Sequence, residues 1–131
     1  MRFTRERDLL NWIIATAEAT GWVVFHVPAP MVASRAGGFV GSKRAAGLPD
    51  LFLLHDDPPR MIIAEVKGSK GKLSERQQEF LRAARRVADF AESLSGDDRS
   101  GEYGERCVGV YTWTPTDEKT IETILRSKAV T

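Results

Sequence analysis

The segment Met61-Ile-Ile-Ala-Glu-Val-Lys67 follows Leu51-Phe-Leu-Leu54 across the turn sequence Asp56-Asp-Pro-Pro59. Both apolar segments have the composition of strands, and the acidic, proline-containing turn between them predicts an antiparallel hairpin. Counted outward from the centre of that turn, Asp50 lies opposite Glu65. The hairpin is therefore expected to hold two carboxylates at one end of a sheet.

The spacing of Glu65 and Lys67 places both side chains on the same face of the second strand, because side chains alternate along a strand. Like charges that face each other in a sheet destabilise it, so Asp50 opposite Glu65 is unfavourable unless a cation lies between them. Carboxylate and carbonyl oxygens suit a hard divalent cation, and a neighbouring lysine stabilises negative charge in a transition state. The alternative is structural: a surface ion pair between Glu65 and Lys67, with Asp50 as a turn residue.

The remaining elements follow from periodicity and capping signals. Apolar residues at spacings of three and four predict a first helix with Thr4 as N-cap and Gly21 as its end. The sequence Ser74-Glu-Arg-Gln77 matches a capping box that opens a second helix, which continues to about Ser93. Two further strands and a last helix are predicted at 22–27, at 108–113 and after Thr114. The order α-β-β-β-α-β-α predicts a small mixed sheet covered by helices.

Length and composition fit one domain spanning 1–131, because the chain is 42% hydrophobic and 28% charged. Two segments lack a clear period: 28–48 is predicted as a flexible loop and 94–106 as a loop or insert. Apolar runs fall short of the roughly 20 residues of a membrane span, so no membrane association is expected. A single cysteine, Cys107, fits a reducing, cytoplasmic compartment.

The charge is unevenly distributed, although the net charge is only +1. Between Arg60 and Arg86 there are eight basic residues and three acidic ones. Basic residues flank the carboxylate pair on both sides, where a polyanion would lie, and an ordinary solvated surface is the alternative. The residues predicted to contact phosphates of such a polyanion are Arg35, Lys43, Arg44, Lys70, Lys72 and Arg76.

Three segments around the carboxylates carry a family resemblance: Gly47-Leu-Pro-Asp50-Leu-Phe, Ile63-Ala-Glu65-Val-Lys67-Gly68 and Leu73-Ser-Glu-Arg-Gln77-Gln-Glu-Phe-Leu81. Together they resemble the VRR-NUC family, the virus-type replication-repair nucleases. The arrangement Asp…Glu-x-Lys also resembles the Asp…(Asp/Glu)-x-Lys signature of the restriction-endonuclease-like superfamily. The resemblance spans roughly residues 4–115. It implies an α/β fold with a restriction-endonuclease-like central mixed β-sheet flanked by helices.

The same resemblance implies roles for individual residues. Asp50, Glu65 and the Val66 backbone carbonyl would bind Mg²⁺ or Mn²⁺, and Glu6 would join the outer shell of the metal. The implied catalytic residues are Asp50, Glu65, Lys67 and Gln77. For Gln77 the capping box is an alternative explanation, and for Glu6 the alternative is a favourable first-turn charge at the helix dipole.

The expected function is therefore metal-dependent hydrolysis of phosphodiester bonds in DNA by an endonuclease. The resemblance implies a homodimer, selective for branched DNA such as Holliday junctions, in the cytoplasm of a bacterial or phage-infected cell. Met31, Val32, Phe39 and Val40 are candidates for dimer contacts or for a flap ordered by DNA. The alternatives are a non-catalytic DNA-binding or assembly subunit with the same fold, and a nuclease acting on flaps, nicked duplex or RNA.

Overall fold

The computed structural model describes residues 3, 5–27, 47–95 and 107–127 of the chain. The helices and strands in these ranges follow one another as α1 (Glu6–Ala19), β1 (Val23–His26), β2 (Leu51–His55), β3 (Arg60–Val66), α2 (Glu75–Ser95), β4 (Val108–Trp113) and α3 (Glu118–Arg126). A short 3-10 turn, Pro115–Asp117, leads into α3. This order confirms the succession of elements that the sequence predicts.

The four strands form one sheet in the order β1-β2-β3-β4. The first three strands pair antiparallel, whereas β4 pairs parallel with β3 because α2 carries the chain back across the sheet between them. In the hairpin of β2 and β3, Leu51 pairs with Ala64. Continued by one residue, this register sets Asp50 opposite Glu65 and confirms the predicted hairpin.

The core lies between one face of this sheet and the helices α1 and α3. Leu53 and Ile62 of the sheet pack with Ile13 of α1 and Ile121 of α3, and all four are at most 2% exposed. Trp22 is buried at the edge of this core, and its indole Nε1 donates a hydrogen bond to the Leu125 carbonyl at 3.0 Å. This layer makes the sheet a rigid support for the residues at its end.

Helix α2 covers only part of the opposite face of the sheet. It buries Leu81 and Ala88, and Ala88 lies beside Val108 and Val110 of β4. Because side chains alternate, these two valines belong to the face opposite Ile62 and Ala64. The β1 side of that face is left more open to solvent.

The boundaries of the helices correct two predictions. Helix α1 has Arg5 as its N-cap, with no side-chain cap hydrogen bond, so the prediction of Thr4 as N-cap is wrong; Thr4 itself lies outside the described residues. Helix α2 continues to Ser95, into the segment predicted as a loop from residue 94, because the first glycine after it is Gly96. The rest of that segment, and residues 28–46, lie outside the described residues.

Candidate metal centre

Three carboxylates meet at the end of the sheet where β2 begins and β3 ends. Glu6, Asp50 and Glu65 each offer an oxygen, and these oxygens lie within 4.8 Å of one another. Glu65 is 1% exposed, Asp50 is half-buried and Glu6 is exposed. The cluster therefore extends from the interior of the protein to the solvent.

The position of Asp50 is fixed by the backbones on both sides of it. The Val66 amide donates to Asp50 Oδ2 at 2.8 Å, and the Val27 amide donates to the Asp50 carbonyl at 2.8 Å. The N–H and C=O of one strand residue point to the same side of the strand, so the Val66 carbonyl is directed toward the Asp50 side of β3. The next amide, of Lys67, instead donates to the Trp113 carbonyl on the β4 side at 2.9 Å.

Gln77 caps its own helix and contacts the carboxylate cluster at the same time. The Ser74 amide donates to Gln77 Oε1 at 2.9 Å, and the Gln77 amide donates to Ser74 Oγ at 3.1 Å, which is the predicted capping box. The remaining group of the side chain, Nε2, donates to Glu65 Oε2 at 3.0 Å. The two explanations that the sequence offers for Gln77 are therefore compatible.

Glu65 has a strongly perturbed acidity. Burial, the hydrogen bond to Asp50 and the charge of Asp50 raise the pKa of Glu65 from 4.5 to about 9. The charge of Glu6 raises this pKa further, and the charge of Lys67 lowers it. Without a cation, Glu65 is therefore protonated at neutral pH. A set of donors made of oxygens only, with excess negative charge, fits a hard divalent cation.

Two glycines, Gly71 and Gly47, allow the segments around the carboxylate cluster to pack closely. A Cβ added at Gly71 would lie 3.2 Å from both Cβ and Cδ of Lys67, so the loop after β3 packs directly on the lysine stem. A Cβ added at Gly47 would lie 2.9 Å from Cβ of Arg76 and 3.2 Å from its backbone carbonyl atoms. The segment that leads to Asp50 thus lies against the first turn of α2.

The structure brings together most, but not all, of the residues that the sequence singles out. Asp50, Glu65, Gln77 and Glu6 meet at one end of the sheet, and Lys67 is close enough to act on the pKa of Glu65. The predicted phosphate contacts divide into two groups. The group on the loop after β3 and on the first turn of α2 is exposed and consists of Lys70, Lys72 and Arg76. The group in the 28–48 segment lies outside the described residues and consists of Arg35, Lys43 and Arg44.

The hydrogen bond from the Val66 amide to Asp50 is the feature of this site that sequence reasoning missed. A signal for it was present in the predicted register. A carboxylate directly before a strand, opposite Glu65, lies within reach of the next backbone amide of the neighbouring strand.

The family comparison agrees with this geometry. The model of the VRR-NUC domain matches residues 4–96, which is well over half of the chain. The chain belongs to the VRR-NUC domain family. The VRR-NUC match runs from before α1 to the end of α2, and it includes every residue of the carboxylate cluster. Comparisons with curated proteins and with solved structures give no match.

Membership in the VRR-NUC family makes this protein a member of a nuclease family. Within residues 5–27, 47–95 and 107–127, the mixed four-stranded sheet and three helices form the restriction-endonuclease-like α/β fold that the sequence predicts. Among the described residues, the helices are too short or too polar to cross a lipid bilayer.

Proposed function

We propose that this VRR-NUC protein is a Mg²⁺- or Mn²⁺-dependent DNA endonuclease whose active site contains Asp50, Glu65, Lys67 and Gln77. The observation that carries the proposal is the buried carboxyl group of Glu65, which lies within 4.8 Å of ligand oxygens of Asp50 and Glu6. A fold gains nothing from converging carboxylates of this kind, because their charges repel one another and one of them is desolvated. A divalent cation removes both costs.

The hydrogen bonds around the cluster support a defined ligand set. Asp50, Glu65 and the Val66 carbonyl would hold the cation, with Glu6 in its outer shell. The Val66 amide donates to Oδ2 of Asp50, and Gln77 donates to Oε2 of Glu65. A cation that displaces the proton of Glu65 would replace the hydrogen bond between the two carboxyl groups and bind their oxygens instead. When bound, a divalent metal lowers the pKa of water and neutralises charge that develops on a phosphoryl oxygen.

Side chains of the protein would orient the metal ligands and stabilise charge in the transition state. Gln77 orients the Glu65 carboxylate through Nε2, and the fixed backbone of β3 sets Glu65 relative to Asp50. The ammonium of Lys67 projects on the same strand face as Glu65, where it stabilises negative charge on the phosphoryl group in the transition state. Packing of Gly71 on the lysine stem limits the rotamers of Lys67 and keeps that charge beside the site.

The direct test is a cleavage assay on flap, nicked duplex, intact duplex, four-way-junction and RNA substrates, with Mg²⁺, Mn²⁺, Ca²⁺ or a chelator. We expect the wild-type protein to cleave at least one DNA substrate with Mg²⁺ or Mn²⁺, and we expect no cleavage by Asp50→Asn. Calorimetric titration of Mn²⁺ should show a large loss of affinity in the same variant. If wild type binds DNA without cutting any substrate, the protein is instead a non-catalytic DNA-binding subunit.

Selectivity for branched DNA, and assembly as a homodimer, belong to the same proposal. Resolving a four-way junction requires two cuts related by symmetry, and a two-fold dimer supplies two sites in a fixed relation. The candidates for dimer contacts or for a flap ordered by DNA lie outside the described residues and stay a prediction: Met31, Val32, Phe39 and Val40. Support for a dimer comes instead from another part of the chain.

An exposed apolar surface on α2 and β1 supports this homodimer. Val87, Phe90 and Leu94 recur at three and four residues along α2 and are 65–70% exposed, and Val23 and Phe25 of β1 are 56–57% exposed. Val23 and Phe25 alternate with the more buried Val24, so they lie on the face of the sheet that also carries α2. The five side chains therefore belong to one side of the molecule.

The extent of this apolar surface fits an interface between two copies. Each of the five side chains exposes on the order of 100 Å², which gives roughly 500 Å² per copy and about 1,000 Å² for a two-fold pair. About 1,000 Å² is the lower limit of specific interfaces, and the five side chains together reach it. We infer that a second copy of the chain covers this surface.

Sedimentation at micromolar concentration tests the homodimer. We expect the wild-type protein to sediment as a dimer and Phe90→Glu to sediment as a monomer, because a buried unpaired carboxylate at an interface is strongly unfavourable. Lys119→Gln on α3 changes the net charge by the same amount on the opposite layer and should remain dimeric. A monomeric wild-type protein would exclude this dimer.

Gln77 offers a test that separates its two contacts. Gln77→Ala and Ser74→Ala each remove part of the capping box, so each should lower the free energy of unfolding by about 1 kcal/mol. Only Gln77→Ala also removes the hydrogen bond to Glu65, so we expect its Mn²⁺ affinity to fall about 10- to 100-fold, as for other residues that orient metal ligands. Equal Mn²⁺ affinities in the two variants would restrict Gln77 to capping. Denaturant unfolding and calorimetry measure the two quantities.

A further inference from the structure

Helix α2 carries three arginines that neither the family resemblance nor the predicted DNA contacts include. Arg82, Arg85 and Arg86 stand three and four residues apart, so they share one side of the helix. All three are exposed, and none of them forms an ion pair with a carboxylate in the part of the chain that the structure describes. Like charges at these spacings destabilise an isolated helix, so folding does not account for the cluster.

The three arginines line a groove beside α2 with a volume of about 330 Å³. The groove is completed by Leu73, Gln78 and Asp89, so it contains three positive charges and one negative charge. Arg85 also borders an adjoining cavity of about 220 Å³ between α2 and β4. An anionic ligand is therefore favoured along this side of the helix.

The groove and the candidate active site are adjacent along α2. Gln78 directly follows Gln77, and its Nε2 donates to the Leu73 carbonyl at 3.2 Å, at the end of the loop that follows Lys67. At 1.5 Å per residue, the distance along α2 from Gln77 to Arg86 is about 13 Å. Duplex DNA carries one negative charge per roughly 1.7 Å of its axis, so a duplex with a phosphate at the carboxylate cluster has further phosphates within this distance.

We propose that Arg82, Arg85 and Arg86 bind backbone phosphates of the duplex DNA that places a further phosphate at the carboxylate cluster. The proposal rests on the proposed function, since it takes DNA as the substrate. Guanidinium groups form bidentate hydrogen bonds with phosphate oxygens and retain their charge at all physiological pH values. Such contacts position a duplex without selecting its sequence.

The test measures binding of a fluorescent 20-base-pair duplex by anisotropy with a chelator present, across a salt series. For Arg82→Gln/Arg86→Gln we expect at least tenfold weaker binding at 0.1 M salt, and a log–log salt slope smaller by about two, because each lost phosphate contact removes about 0.9. The matched double variant is Lys119→Gln/Arg126→Gln on α3, which removes the same charge from the opposite layer and should keep the wild-type slope. Mn²⁺ affinity should match wild type in both. Melting temperatures should stay within a few degrees of wild type, because the control loses only the exposed ion pair of Arg126 with Glu122 and the arginine variant loses only surface repulsion.

The outcomes separate this inference from the proposed function. A wild-type protein that binds no DNA would overturn the proposed function, and the inference with it. A wild-type protein that binds DNA, together with an arginine double variant that binds it as tightly as the α3 control, would overturn the inference alone. If the double variant does not fold, Arg86→Gln must lower the slope by about one for the inference to stand.

Discussion

Replacing Glu65 by Gln is expected to abolish metal-dependent cleavage and, at pH 8, to stabilise the metal-free protein. Removing one of the two proposed carboxylate ligands of the metal forfeits several kcal/mol of transition-state stabilisation, so the cleavage rate should fall by about 10³ or more. Glutamine retains an oxygen that accepts from Gln77 Nε2, and its own amide can donate to Asp50, so the local packing is preserved. The variant thus removes charge without removing volume.

The gain in stability follows from the acidity of Glu65. Its pKa is about 9 in the folded protein and 4.5 ordinarily, so between these values the folded state holds a proton that the unfolded state has released. The metal-free wild type is therefore expected to lose stability as the pH rises from about 4.5 to about 9, by at most about 1.4 kcal/mol per pH unit. The amide introduced by Glu65→Gln does not titrate, so this part of the pH dependence should disappear in the variant.

Thermal unfolding with a chelator, at pH 6 and pH 8, measures this effect. Wild type should melt several degrees lower at pH 8, whereas Glu65→Gln should show a smaller difference. Saturating Mn²⁺ should raise the melting temperature of the wild type at pH 8 and leave that of the variant unchanged. A wild-type protein whose stability does not fall with pH would contradict the protonated state of Glu65.

Replacing Lys67 by Ala should lower the single-turnover cleavage rate by about 10²–10³, because a preorganised charge that acts on the transition state is lost. DNA affinity should change little, since one contact among many contributes a small part of the phosphate term. Lys70→Ala is the matched control, because Lys70 lies exposed on the same loop and carries the same charge. Rapid quench under saturating protein gives the rate, and anisotropy gives the affinity. Weaker binding of Lys67→Ala with an unchanged rate would make Lys67 a phosphate contact instead.

The hairpin and its register could be predicted because they depend on local signals. A Pro-containing turn and two apolar strands fix which residues face each other, and this places Asp50 opposite Glu65. The capping box of α2 is equally local, and Ser74 and Gln77 are enough to predict it. The hydrogen bond from Gln77 to Glu65 depends instead on where α2 packs on the sheet, which the order of residues along the chain does not specify.

Which side of α2 faces the sheet could likewise not be predicted from the sequence. Leu81 and Ala88 are buried, whereas Val87, Phe90 and Leu94 form a second apolar stripe that is exposed. Periodicity identifies both stripes as apolar and cannot tell which of them faces the sheet. Only the packing of Ala88 beside β4 decides between them.

The double contact of Gln77 has a consequence for how the site comes into being. Its Oε1 accepts from the amide of Ser74, directly before the first turn of α2, while its Nε2 donates to Glu65, so the cap of the helix and the orientation of the carboxylate depend on one side chain. When the first turn of α2 frays, Glu65 loses this hydrogen bond, so the full orientation of its carboxylate requires that turn to be formed. In energetic terms, the first turn of this helix and the candidate metal centre are coupled through one side chain.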